Sequence, residues 1–465
     1  IMVNRGRAYP YIPNSDPTIK AQMLKEIDAK SIEDLYNDIP KELRLNQGLD
    51  LPAPLLSEYE LRRHVEKILS QNYTTKQCLS FLGAGCYQHY VPAICDEINS
   101  RGEFLTAYAG EPYDDHGRFQ ALFEYASLMA ELLEMDVVNV PTYDGFQAAA
   151  TALRMACRIT GREKVLLPET LGQDMLSKIR DYLKYDIEIG MLKHDAVTGG
   201  IDLQYLEKIV NSDSAAVFFE NPSYLGFFEL NGKKIAEIAH EHGAICVVSV
   251  DPISLGVIAP PARYGADIVV GDIQPLGMHM AFGSGQAGFI ASRDEEAYVM
   301  QYPSRLFGIT PTSVKGEYGF GDVAYERTSF ARREEGNEWV GTAAALWGIT
   351  AGVYLALMGP QGMKDIGEGI LYRSNYARQE ISKIHNLNVD VFRSPNFKEF
   401  IINFDETGKK VSEINKALLE RKIFGGKDLS HNFPWMGESA LYCFTEVHTK
   451  DDIDQLVSAL REVVA

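Results

Sequence analysis

AICVVSVDPISLG, residues 244–256, is a run of apolar and β-branched residues that stops at an aspartate followed by a proline. A short apolar run with little polar alternation predicts a strand buried on both faces, the pattern of an inner strand in a parallel sheet. Similar runs recur at VLLPE (165–169), DIEIGML (186–192), AAVFFENP (215–222) and ADIVVGD (266–272). Amphipathic stretches such as LQYLEKIV (203–210) and KKIAEIAHEH (233–242) lie between them. Strands alternating with helices require right-handed crossovers, which predicts an α/β fold: a mostly parallel sheet with helices on both faces. In such a sheet ligands sit at the carboxyl ends of the strands, where Glu220-Asn221-Pro222, Asp251 and Asp272 fall.

The surrounding chain sets limits on what this sheet serves. Its 465 residues exceed one small core and predict two or three domains. With 46% hydrophobic and 23% charged residues it has an ordinary globular composition, and its net charge of −19 argues against nucleic acid or anionic membrane as main partners. No apolar run approaches the roughly 20 residues of a membrane span, and IMVNRGRAYPYIPNSD at the start has no hydrophobic signal region, so a cytoplasmic location is expected. The six cysteines form no CxxC pair, which favours reduced thiols over zinc or disulfides. His240 and His242, two apart, do not share a helical face, so no metal site is expected.

Three segments are expected. Residues 1–75 read as a helical arm: Asp16 caps a helix with Pro17 in its first turn, SIEDLYNDI forms a second helix, and a third begins near Ser57. Residues 76–330 form the large α/β domain. Residues 331–465 form a small α+β domain that opens with an apolar helix over 343–359, stopped at Gly359-Pro360. Strands VDVF (389–392), EFIINF (399–404) and ALYCFTE (440–446) follow, with helices at VSEINKALLERK (411–422) and the carboxyl terminus.

Several stretches are candidates for chemistry. GSGQAG (283–288) matches GxGxxG formally, but a strand-like GFIAS follows instead of a helix, so turns of a tight corner are the better reading. FLGAGCYQHYVPA (81–93) concentrates Tyr87, His89 and Tyr90, either as a ligand-facing loop or as a packed approach to the large domain. TAYAGEPYDDHGR (106–118) gathers Tyr108, Asp114, Asp115, His116 and Arg118, acid-base and anion-binding groups that a solvated loop would also carry. Tyr143 and Asp144 precede a helix whose amino end could take a phosphate or simply be capped. Asp251 at a strand tip is where many enzymes hold the pyridine nitrogen of pyridoxal phosphate. The nearest lysines along the chain are Lys234 and Lys315, so the stretch itself supplies no Schiff-base residue.

IEDLYNDIPKELRL, LDLPAPLLSEYEL, SFLGAGCYQHYVPA, SRGEFLTAY, MDVVNVPTYDG, ENPSYLG, VDPISLGVIAPPARYGADIVVGDIQPLG and YLALMGPQG, in this order, resemble the glycine decarboxylase (P-protein) family of the glycine cleavage system, in its subunit 1 (α-type) branch. The resemblance implies the type I, aspartate aminotransferase-like fold of pyridoxal-phosphate enzymes, with an N-terminal arm and a small C-terminal α+β domain. It implies that the family's His-Lys pair corresponds to Gln274-Pro275, and proline cannot form an imine. Pyridoxal phosphate would then be held by a lysine-bearing subunit 2, not covalently by this chain, and Asp251 would be vestigial. Tyr108 and Tyr143 match positions near the partner's cofactor, and His116 joins them as a catalytic candidate. The implied assembly is a heterodimer or α2β2 complex that oxidatively decarboxylates glycine and passes the aminomethyl group to lipoyl H-protein. The segments 109–118, 282–286 and 333–342 depart from the family pattern. They leave two alternatives: a decarboxylase or lyase for another amino acid, or a non-catalytic structural or regulatory subunit.

Overall fold

The computed structural model describes residues 11–12, 15–45, 47–105, 116–283, 285–328 and 344–465, with 331, 334, 336, 338 and 340 between the last two spans; the side chains of 116 and 117 are not among those described. The chain forms two compact units, Ile1–Tyr73 and Thr74–Ala465.

In the first unit, Asp16 caps the helix Pro17–Glu26, accepting hydrogen bonds from the N–H groups of Thr18 (2.8 Å) and Ile19 (3.2 Å). SIEDLYNDI forms only a short 3-10 turn, Ile32–Tyr36, in place of the expected helix. Asp34 draws the N–H groups of Lys30 and Ser31 back onto its carboxylate, which tightens the turn. Ser57 caps the helix Glu58–Leu69, whose Leu61, Val65, Ile68 and Leu69 share one exposed face. No described residue of this unit is buried.

The second unit is built on a seven-stranded sheet. Its strands are β1 (Val137–Val138), β2 (Lys164–Pro168), β3 (Glu188–Leu192), β4 (Ser214–Glu220), β5 (Ile245–Val250), β6 (Ile268–Asp272) and β7 (Gly288–Ser292). They lie in the order β1-β7-β6-β5-β4-β2-β3. The pairs among β2 to β6 are parallel, and β7 runs antiparallel to β6 and β1. Alternate residues feed two cores: Cys246, Val248 and Val250 of β5 face one, with Ile235, Ala239 and Tyr354, whereas Ile245 and Val247 face the other, with Ala149, Leu153 and Ile179. Both faces are therefore apolar, as the unbroken runs required. GFIAS is strand β7, so GSGQAG opens no helix.

The apolar helix opens at Ala345 and stops at Gly359, as expected: Gly359 has a non-helical backbone (φ 59°, ψ −178°). A second helix starts at Pro360, where a missing N–H costs nothing, and runs to Ile381. Tyr354 and Leu355 pack in the large core before the break, and Ala377 and Ile381 pack after it against the C-terminal sheet. That sheet holds Glu399–Asn403 and Lys427–Asp428, both antiparallel to Ser439–Cys443. Leu79–Ser80 pairs in parallel with Ile423–Phe424 and ties the start of the unit to its end. VDVF (389–392) is irregular, although Val389 and Phe392 are buried; their packing needs no ladder.

Phe218→Ala, in the fully buried centre of β4, is expected to cost about 3–5 kcal/mol. A urea titration should show a clearly lower midpoint, whereas Tyr372→Ala on the exposed face of the helix starting at Pro360 should stay within about 0.5 kcal/mol of the parent.

Candidate functional site

The parallel strands β4, β5 and β6 end side by side, and Glu220, Asp251 and Asp272 stand at or just beyond their carboxyl ends. They line a cleft of about 90 Å³ together with Tyr87, Lys398 and Glu399. Asp251 begins the 3-10 turn Pro252–Gly256, and its Oδ1 accepts the Ile253 N–H at 3.0 Å. Asp272 turns toward the helix Gly145–Thr160 and accepts the Gly145 N–H at 2.9 Å, the Gln274 N–H at 2.8 Å and the Ala287 N–H at 3.3 Å. Burial outweighs these bonds and pushes the Asp272 carboxyl up to about 7. Asp144 caps the same helix through the Gln147 N–H (2.6 Å) and pairs with Lys178 (2.9 Å). Two carboxylates of the chain itself thus occupy the positive end of this helix.

The charge of the other half of the cleft comes from the C-terminal sheet. Lys398 immediately precedes the strand Glu399–Asn403 and is 2% exposed. Its ammonium pairs with Asp251, lies 3.2 Å from the centroid of the Tyr87 ring and stands 3.3 Å from His89 Nε2. His89 Nδ1 lies 2.8 Å from Glu446, whose other oxygen accepts the Tyr90 N–H at 2.6 Å. Burial works to raise the Glu446 carboxyl, but the His89 imidazole and that N–H hold it well below the usual carboxylate range. Glu399 accepts the Ala84 N–H (2.7 Å) and the Tyr87 hydroxyl (3.0 Å), and burial pushes it up to about 7. Glu220 accepts the Tyr224 N–H (2.9 Å) and is pushed up to about 7 by burial.

Of the residues singled out in the sequence, Tyr87, Glu220, Pro222, Asp251, Asp272 and Pro275 line the cleft. Gln274, beside Pro275, is almost fully buried; its amide oxygen accepts the Tyr87 N–H and its amide nitrogen donates to the carbonyls of Tyr87 and Met278. The Gln-Pro pair thereby anchors the loop 81–93. Tyr143 is 52% exposed, two positions before the cleft-lining Gly145, with its N–H bonded to Gln147. Tyr108 lies outside the described residues, and His116 opens the helix His116–Leu133 with its side chain outside them. Lys398 and Glu399 were not among the sequence candidates. Their signal was two adjacent charges leading into the apolar run FIINF, where a buried strand has no solvent to receive them.

These residues do not fit pyridoxal phosphate. Pockets for such ligands measure about 300–1,000 Å³, well above this cleft. The helix end that would receive a phosphate dianion carries Asp144 and Asp272. The carboxylate that would meet a pyridine nitrogen is paired with Lys398, and Pro275 lines the cleft where the lysine is expected.

The sequence model of the glycine cleavage system P-protein matches residues 10–460. The chain belongs to this family. It is 42% identical to a "probable glycine dehydrogenase (decarboxylating) subunit 1" of Staphylothermus marinus, over 98% of both chains. It is 40% identical to a protein of the same name from Saccharolobus islandicus, again over 98% of each. The crystal structure of a glycine decarboxylase (P-protein) in inhibitor-bound form superposes with a TM-score of 0.86 at 32% identity, covering 98% of this chain and 100% of that one. The Burkholderia pseudomallei sphingosine-1-phosphate lyase (TM-score 0.65, 14% identity, 90% of this chain and 92% of that one) shares the fold alone. The fold is that of the type I pyridoxal-phosphate enzymes, and pyridoxal phosphate is the cofactor expected of the family. The name subunit 1 implies that those relatives work with a partner subunit. Among the described residues no helix is long and apolar enough to cross a membrane.

The raised carboxyls give the protein a signed pH dependence. A carboxyl whose pKa is higher folded than unfolded binds more protons in the folded state, so stability falls as pH rises from about 4 to about 7 and then levels off. Glu220→Gln should flatten part of this fall, matching the parent near pH 5 and exceeding it near pH 8 in urea midpoint.

Proposed function

We propose that this chain is the non-Schiff-base subunit of a heteromeric, cytoplasmic glycine decarboxylase. It completes the active site of a lysine-bearing subunit 2, in a heterodimer or α2β2 complex. The overall reaction is the oxidative decarboxylation of glycine with transfer of the aminomethyl group to lipoyl H-protein. The observation that carries this reading is the cleft at the strand ends: its carboxylate is taken by Lys398, and Pro275 lines it where a Schiff-base lysine would stand. A family member closed to its own cofactor acts through the cofactor of another chain.

In this reading pyridoxal phosphate is held by the partner, as the electron sink of the reaction. In the same reading Tyr143, Tyr108 and His116 are the groups this chain offers to the partner's substrate. The half-exposed Tyr143 supports this role, because its backbone is fixed beside a helix cap while the residue stays open to solvent. The exposed apolar face of Glu58–Leu69 is suited to cover the partner's surface.

Purified alone, the chain should show no internal-aldimine absorbance near about 420 nm and no borohydride-trapped adduct, since only an accessible lysine imine gives them. Co-expressed with a lysine-bearing homologue it should co-purify and catalyse glycine–bicarbonate exchange. Tyr143→Phe in that complex should lower the exchange rate by about tenfold or more, as expected when a positioned hydrogen-bond donor is lost. An adduct on this chain, or exchange that does not need it, would overturn the reading.

A further inference from the structure

Lys398 has an environment unusual for a lysine. It is 2% exposed, its ammonium is paired with Asp251 and set 3.2 Å from the centre of the Tyr87 ring, and His89 Nε2 is its third neighbour at 3.3 Å. An ammonium only donates, so the facing His89 nitrogen accepts, and the ring proton stands on Nδ1 toward Glu446. A carboxylate and an aromatic face are also what a protonated heteroaromatic ring would need as partners. Here the chain supplies the cation itself, from the residue before a C-terminal strand.

We infer that Lys398 is a tethered counter-cation that fills the seat of a cationic cofactor ring, locks the C-terminal sheet onto the end of β5, and leaves behind, when removed, a binding site for a small protonated amine. The lock is reinforced from the same strand by Glu399, which holds the Ala84 N–H and the Tyr87 hydroxyl, and from the vestigial pair by Gln274, which holds both polar groups of the Tyr87 backbone. The loop 81–93, the strand tip and the C-terminal sheet therefore meet at one ammonium. Burying a carboxylate is costly unless it is paired, so Asp251 and Lys398 depend on each other. The inference concerns the chain's own cleft and is independent of the partner chemistry proposed above.

The test is a double-mutant cycle on the full chain, read by thermal unfolding. Lys398→Ala should lower the midpoint by about 5 °C or more, because Asp251 is left buried without its cation. Lys398→Ala with Asp251→Asn should lie closer to the parent than the single variant does, since no uncompensated charge remains. n-Propylammonium, the piece deleted by Lys398→Ala, should restore the single variant, whereas n-propanol and tetramethylammonium should not; the double variant should respond to none of them. Should Lys398→Ala fail to fold while the double variant folds, the inference is supported. It is overturned if the double variant is no more stable than the single one, or if n-propylammonium restores no more than n-propanol.

Discussion

Both faces of the seven-stranded sheet are covered, so its strands can present charge only at their ends, and at the carboxyl edge three acidic residues arrive in one buried cleft. Such groups cannot all remain ionised in a low-dielectric space without donors or a counter-charge. They are accommodated in two ways. Asp272 is met by three backbone N–H groups and Glu220 by one, both with carboxyls pushed up to about 7, and Asp251 by the ammonium of Lys398. The last of these reaches furthest, because the ammonium arrives from another sheet and brings that sheet, the Tyr87 ring and the His89–Glu446 pair with it.

The same constraint explains why the residues of this cleft do not fit the cofactor expected of the family. A helix amino end attracts a single negative charge by about 0.3–1 kcal/mol at exposed sites. Asp144 and Asp272 already accept the Gln147 and Gly145 N–H groups at that end, so a phosphate would have to displace them. The neighbouring carboxylate is neutralised from within the chain. The interior of the cleft is thus committed to bonds within the chain.

Much of the fold was legible along the chain. The unbroken apolar runs of β2, β4, β5 and β6, separated by amphipathic helices, are a local pattern, and each became a strand of the sheet. The absence of a helix after GSGQAG was legible for the same reason. Punctuation was legible where it was local. Gly359-Pro360 reads as a stop, and the helix ends there, with a second helix following at once. SIEDLYNDI has the composition of a helix, and Asp34 caps its start through the Ser31 N–H, but no buried face supports more than a short 3-10 helix. The hairpin of Phe307–Pro311 with Tyr318–Asp322 carried no strand signal that was read, since its outer residues are exposed and its glycines break the pattern.

The candidate site divides along the same line. Sequence alone determined that Asp251 ends a strand and that no lysine follows it nearby, since strand ends and missing residues are local facts. It also determined that Gln274-Pro275 cannot supply an imine. Only the tertiary structure decided which cation faces Asp251, because Lys398 lies 147 positions later along the chain (398 − 251 = 147) and meets it through a separate sheet. No periodicity links two residues so distant. What joins them is desolvation: a carboxylate and an ammonium, each buried by its own strand, are stable there only together.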